Sequence, residues 1–377
     1  MINTSLLWLF LFPVFLTFAG IFIIPKITGN PDRLVALSLG AIGLLISVII
    51  LTGAFYAGKG IKTSDTEIWN GQITSKARVH GSYVRSYSCH CHNVSSGSGK
   101  NQSSHEECDT CYEDHFTVKW GCASNVGDFT IDSADLTSRA VYLLPDPNRY
   151  TTIKVGDPAS TSHFYTNYIK AVPESLFRPL EGSLKTQFAG MIPAYPGNVY
   201  DFYKVDRVLP VGVSIPNLQE WNDKLSVVLK TLGPAKQANV VIVVVKSNDP
   251  NYFYALQDAW LNGKKNDIVV TIGAPDFPKK AAWVNVMALA QDAIFQVKMR
   301  DDILALDDLT ADSVITAIGK ETSATFKRKR MRDFEYLDAE IDPPTWIMIV
   351  AMIVVFLLYA GGLFAVYKNY VPRRFRY

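Results

Sequence analysis

Four of the five cysteines lie close together, in two pairs. Cys89 and Cys91 form a C-x-C, and Cys108 and Cys111 form a C-x2-C. A loop rich in serine and glycine, SSGSGKNQSS, lies between them. If the flanks are strands, a hairpin brings four sulfurs to one point, and two chemistries fit that geometry. Four thiolates hold zinc tetrahedrally in a closed structural site, or two disulfides staple the hairpin. The C-x2-C half has ordinary zinc-knuckle spacing; the C-x-C half is tighter. The compartment decides between them, because disulfides persist outside the cytoplasm whereas cytosolic thiols stay reduced and favour zinc. His90, His92, His105 and His115 surround the cluster. They read as solvated loop residues, or one of them replaces a cysteine as ligand. Cys122 reads as a small buried hydrophobe rather than a nucleophile.

A second group of candidates is acidic. Asp267, Asp276, Asp301 and Asp302 could gather as a carboxylate site for a divalent cation, with Asp267 and Asp276 at its centre. The same residues also read as strand-end and helix-cap acids on a solvated face. Asp307, Asp308 and Asp312 suit a helix N-terminus, where the dipole favours anions. A third group is basic: Lys327, Arg328, Lys329, Arg330 and Arg332. Near a bilayer, that run would touch anionic headgroups at about 1 kcal/mol per charge. It also reads as a linker whose charge is neutralised by Asp333, Glu335, Asp338, Glu340 and Asp342. There is no G-x-S-x-G, P-loop, dinucleotide fingerprint or H-E-x-x-H. A net charge of +2 gives no reason to expect nucleic acid as a partner.

These groups need a scaffold, and hydropathy divides the chain sharply. Leu6–Ile24, Leu34–Ala57 and Trp346–Tyr367 are uncharged and apolar. Each has the roughly 20 residues that a helix needs to cross about 30 Å of hydrocarbon. A helix is required there because lipid offers backbone groups no partner. The first two runs, joined by a short turn, predict a helical hairpin, with Pro13 tolerated inside it and Gly40 and Gly43 available for close packing. Lys26 and Arg33 in the turn, and Lys368, Arg373, Arg374 and Arg376 in the tail, favour the cytoplasm for those ends; the basic run 327–332 would put the domain there instead, but long domains translocate largely regardless of charge and acids follow it at once. The large middle region is then expected outside.

Within that region, 58–212 reads as β-rich. Thr66–Ile73, Phe116–Trp120, Phe129–Ile131 and Phe164–Ile169 alternate aromatic or β-branched residues between turn formers. From 213 the pattern becomes α/β. Leu218, Trp221, Leu225, Val228, Leu229 and Leu232 have helical spacing, and Gly233-Pro234 is expected to stop that helix. Val240–Val245, Ile268–Ile272 and Ala282–Met287 predict strands, the first two buried on both faces. Asn251–Leu261, Ala288–Met299 and Ala311–Ile318 predict helices, the last capped by Thr310 and stopped by Gly319.

The succession of helix, VVIVVVKS strand, aromatic helix ending in WL, and GKKNDIVVTIG is similar to the TPM domain family over about residues 213–320. The family's G-K-K run is matched by Gly263, Lys264, Lys265, Asn266 and Asp267. Asp276 stands where the family has an acidic-Arg pair, without the Arg. The resemblance implies an extracytoplasmic domain tethered by the adjacent C-terminal span, with phosphatase activity or divalent-metal binding as the alternative function. WNGQITSKARVHGSY, SGSGKNQSSHEECDTCYEDHF and YTNYIKAVPESLF resemble an uncharacterised membrane-protein family of large tailed bacteriophages and bacteria. That second resemblance implies a multi-pass protein of the bacterial inner (host cell) membrane.

The expected architecture is therefore membrane-anchored α+β. A transmembrane helical hairpin (1–57, with spans 6–24 and 34–57) precedes a β-rich region with the Cys cluster (58–212). An α/β TPM-like domain (213–326), a charged juxtamembrane linker (327–345) and a transmembrane helix with basic tail (346–377) follow. The expected function is a tethered interaction or structural module that meets the lipid bilayer and an unknown protein partner. Structural zinc is the only cofactor the residues suggest.

Overall fold

The computed structural model describes residues 4–28, 33–96, 103–175, 186–201 and 204–370. Two helices at the start, α1 (Thr4–Thr28) and α2 (Arg33–Thr63), pack against the last helix, α7 (Thr345–Tyr370). Leu51, Ala351 and Val355 are buried at their centre. The two glycines singled out for close packing do that work. A Cβ on Gly40 would sit 3.1 Å from Thr17, and one on Gly43 would sit 3.2 Å from the Tyr359 ring. Thr17 Oγ1 and the Tyr359 hydroxyl share a hydrogen bond of 2.6 Å. The outside of the bundle is apolar, with Phe15, Phe22, Leu45, Ile49 and Leu357 exposed. Among the described residues, Leu37–Thr63 and Thr345–Ala365 are long and apolar enough to cross a membrane, and Phe10–Lys26 is a shorter apolar helix. Arg373, Arg374 and Arg376 lie outside the described residues.

α2 does not stop at Ala57 as its apolar run suggests. It continues to Thr63 and passes directly into strand β1 (Ser64–Ser96). The first sheet is antiparallel, ordered β3-β2-β1-β4, with β2 at Ser103–Ser124, β3 at Phe129–Leu136 and β4 at Pro158–Thr166. β1 changes partner along its length: Ser64–Gln72 pairs with β4, and Ile73 onward pairs with β2. The second sheet is ordered β5-β6-β7-β8: β5 (Val208–Val211), β6 (Asn239–Val245) and β7 (Asp267–Gly273) run parallel, and β8 (Trp283–Ala288) runs antiparallel at the edge. Every residue of β6 and β7 is buried, as the runs Val240–Val245 and Ile268–Ile272 predict, and so are the polar residues Asn239 and Asp267 that open them.

Helices cover both faces of this sheet. α3 (Leu218–Lys236), α5 (Ile294–Leu304) and α6 (Ala311–Thr325) bury Leu225, Leu229, Met299, Val314 and Ile318 against one side. α4 (Asn251–Ala259) packs Tyr252, Phe253 and Leu256 on the other. The boundary expected at 213 falls too late. Phe188, Met191, Ile192 and Tyr195 pack onto the second sheet's core, and β5 precedes 213. β5 is only four residues long and carries Pro210, tolerable at a sheet edge, so it gives little alternating signal. The segment expected as a charged linker is also ordered. Met331–Glu340 forms a 3-10 helix whose Phe334 and Leu337 pack on Ile169 and Val172.

Neither glycine expected to end a helix does so. α3 runs through Gly233-Pro234 to Lys236, closing on Gln237 in the left-handed conformation. Gly233 is required for another reason: a Cβ there would collide with the Asn70 carbonyl of β1. Gly319 sits inside α6, where it lets Val228 of α3 approach. Gly233→Ala is therefore expected to destabilise the contact between the two sheets by about 1–3 kcal/mol through overpacking. Thermal unfolding of the detergent-solubilised chain, followed by tryptophan fluorescence, checks this. Gly190→Ala, at a position with open space, should leave the midpoint unchanged.

Candidate functional site

The cysteines lie on a projecting part of the first sheet. β3 supports β2 only from Phe116 to Cys122. Beyond that, from Tyr83 opposite His115 to Ser96 opposite Ser103, β1 and β2 pair only with each other. At about 3.3 Å per residue, this two-stranded arm is roughly 40 Å long. A ribbon of two strands is at best marginally stable in water. Cross-strand sulfur pairs Cys89–Cys111 and Cys91–Cys108 lie at disulfide distance within it. The expectation of four sulfurs at one point is not met. The register separates them into two groups of three donors each, Cys89 with His90 and Cys111, and Cys91 with Glu106 and Cys108. A bulge between Cys89 and His92, with His90 at φ 47°, accommodates the tight C-x-C.

The histidines divide. His90 Nδ1 lies 3.5 Å from Cys89 Sγ and 3.9 Å from Cys111 Sγ. His115 is turned away from the thiols: it stacks on Tyr83 and bonds Asp135 at 2.8 Å. His92 approaches the His90 carbonyl, and His105 is exposed opposite Val94. Cys122 is buried beside Ile73 and Ile131, and burial pushes its thiol pKa up. The arm exposes Val84, Tyr87 and Tyr112, while β2 carries Glu106, Glu107, Asp109, Glu113 and Asp114.

The four acids proposed as a cation site are not brought together. Asp267 opens β7 and Asp276 lies beyond its far end, separated by about 20 Å of strand. Asp301 bonds Arg300, and Asp302 pairs with Lys320 at 2.9 Å. Asp312 pairs with Lys224 at 2.7 Å, while Thr310 and Ser313 form the capping box of α6. Asp267 is wholly internal. It accepts from Asn239 Nδ2 (2.9 Å), the Tyr195 hydroxyl (2.7 Å) and the Lys264 amide (2.7 Å). Burial raises its pKa, and these three donors counteract part of the rise.

The basic run is only partly free to meet a surface. Arg328 turns inward, 3.8 Å from the buried Glu67 carboxylate. Lys329 reaches the Phe334 ring, and Arg330 lies 3.9 Å from Asp333. Lys327, Lys329, Arg330 and Arg332 keep exposed side chains.

A polar joint between the sheets carries no sequence motif. Residues 65–70 of β1 cross the starts of β6 and β7. Asn70 Nδ2 donates to the Ala238 carbonyl and to Asn239 Oδ1, and Asn266 donates to the Ile68 carbonyl. Glu67 pairs with Lys265 at 2.9 Å, and Asp65 with Lys264 at 2.6 Å. Arg207, fully buried, donates to Asn239 Oδ1 (3.0 Å), Asn70 Oδ1 (2.5 Å) and Ser160 Oγ (2.9 Å). These residues are far apart in the chain, and only the crossing of β1 joins them. Burial opposes the charge of Asp65, but the Lys264 ammonium and the Asn167 amide outweigh it and hold its pKa below the usual carboxylate value.

That depressed pKa has a sign. An acid whose pKa falls on folding stabilises the fold above its unfolded value, and the gain is lost as pH drops through the folded value. The expected result is a fall in unfolding temperature below about pH 4, the unfolded carboxylate range. The fall should be shallower in Asp65→Asn, which should also lower the neutral-pH stability by about 1.5–3 kcal/mol. Melts of both proteins from pH 6 to 3 check it.

Comparison with protein-family models, curated proteins and solved structures finds no match to this chain.

Proposed function

We propose that this chain is a membrane-anchored interaction module whose projecting β arm is the docking element for a protein partner. One observation carries this reading. The arm extends past the rest of its sheet, holds two cross-strand cysteine pairs and exposes aromatic and acidic residues. Exposed Tyr, Val and carboxylates on a stiff ribbon suit a protein surface with complementary charge. The acids of β2 disfavour nucleic acid.

The anchor is the three-helix bundle, with its apolar exterior facing a bacterial inner (host cell) membrane. Lys26 and Lys368 sit at the bundle end away from the sheets. Basic residues favour the cytoplasm, so the sheets and the arm lie outside it. There the thiols are oxidised as disulfides. Structural zinc on Cys89, Cys91, Cys108 and Cys111 belongs to a reducing compartment, and the separation of the donors into two groups counts against a single tetrahedral site. The exposed Lys327, Arg330 and Arg332 remain candidates for headgroup contact.

A photoreactive residue placed at Tyr87 or Tyr112 tests the docking role in cells. Discrete crosslinked species are expected from both sites and not from exposed Thr151, which lies off the arm. Absence of arm-specific products in the native membrane would overturn the reading.

A further inference from the structure

We propose that a second site, separate from the arm, binds a phosphate-bearing small molecule in the cavity under Trp260. The cavity has a volume of about 370 Å³, within the range of small-ligand sites. It lies where the loop 192–195, the end of α4 and the start of β1 meet.

The wall chemistry selects the ligand. Asp65 is the carboxylate of the lining, and its oxygens are already served. Lys264 Nζ donates at 2.6 Å, Asn167 Nδ2 at 2.8 Å, the Thr66 amide at 2.9 Å and the Tyr165 hydroxyl at 3.3 Å. A cationic ligand would find this acceptor occupied. The donors have capacity to spare. Each lysine ammonium has three N–H groups. Among the described residues, Lys264 spends one on Asp65, and Lys170 spends one on the Ser64 carbonyl while lying 3.6 Å from Asp65. Two ammonium groups against one carboxylate leave the lining with an excess positive charge, which suits an anionic phosphate, whether a monoester with close to two negative charges or a diester with one. Trp260 donates its indole N–H to the Pro193 carbonyl at 3.0 Å and meets Tyr195 edge to face, so aromatic rings form part of the wall, with the Lys264 ammonium 5.1 Å from the Tyr195 ring centroid. Leu261 on the rim has φ 49°, an uncommon conformation for that residue, and strain of this kind concentrates at ligand sites.

The phosphate has two possible sources, a soluble ester or a lipid headgroup. From Ala57, where the apolar run of α2 ends, to Asp65 is about 16 Å, counting 1.5 Å per residue to Thr63 and about 3.3 Å per residue in β1. The headgroup layer is about 5–7 Å deep on each side, so the mouth lies roughly 10 Å beyond it with α2 upright, and nearer as α2 tilts. The lipid source rests on the membrane-anchored reading; the soluble source does not.

Full-length protein in a neutral detergent, titrated calorimetrically with glycerol 3-phosphate and separately with short-chain phosphatidylglycerol, tests the site. Saturable binding of either probe is expected, weakened tenfold or more by Lys170→Gln, a change at a side chain that is 41% exposed, and also by Lys264→Gln. Lys230→Gln, outside the cavity, should bind as wild type. Tighter binding of the lipid assigns the headgroup, and tighter binding of the ester assigns a soluble ligand. No saturable binding of either probe, or affinity unchanged in both cavity variants, would overturn the proposal.

Discussion

Replacing Arg207 with alanine is expected to cost about 3–5 kcal/mol, the scale seen when one member of a buried charged network is removed. That is a large share of the 5–15 kcal/mol that holds a typical domain together. Arg207 is 1% exposed, and among the described residues no carboxylate contacts it directly. Burial lowers its pKa to about 10, so it remains charged at neutral pH. Its charge is balanced at one remove. Asn239 accepts from Arg207 through Oδ1 and donates through Nδ2 to Asp267. Alanine would remove one of the two donors to Asn70 Oδ1 and to Asn239 Oδ1 and the donor to Ser160 Oγ, and would take away a charge that acts on Asp267, besides opening a cavity. Lysine should recover only part of the loss, because a single ammonium cannot reproduce the guanidinium fork that serves both Asn239 and Asn70. Thermal melts of the solubilised chain should rank wild type above Arg207→Lys above Arg207→Ala. An alanine variant as stable as wild type would mean that the joint does not hold the sheets together.

The second large effect is expected when Cys89, Cys91, Cys108 and Cys111 are all changed to serine. Each sulfur pair closes a loop with a sequence separation of 22 or 17 residues. A disulfide closing a loop of that size contributes about 3 kcal/mol. Among the described residues no third strand backs the arm beyond Tyr83 and His115, so most of its order should depend on the two links. Amide hydrogen exchange should rise through 84–96 and 104–114 by two orders of magnitude or more, as a loss of about 3 kcal/mol implies, while β6 and β7 keep their protection. Unchanged exchange in the arm would show that strand pairing alone maintains it. Collapse of protection throughout would show that the arm is not an independent element.

How much of this was legible in the sequence depends on where each partner lies along the chain. The apolar helices, the two fully buried strands and the Thr310 cap depend on local patterns, and they appear where those patterns place them. The hairpin bearing the cysteines was also legible, but its register was not. A bulge at His90 shifts the pairing and divides four sulfurs into two groups. Gly233 and Gly319 look like helix stops in one dimension; each is explained by a neighbour, Asn70 or Val228, that is remote in the chain. In the sequence Asp267 reads as one of four acids that could hold a cation. Its role follows from Asn239 and Tyr195, which no spacing connects to it. The cavity under Trp260 likewise joins residues from 65, 170, 195 and 264, so no local motif marks it.

Protease treatment of spheroplasts producing the full-length chain bears most directly on an anchored module with its arm outside the cytoplasm. The expected result is loss of the region between α2 and α7 while the membrane is intact, leaving membrane-embedded fragments near the two ends. Protection of that region until the membrane is dissolved would contradict the orientation, and with it the oxidised arm as the docking element.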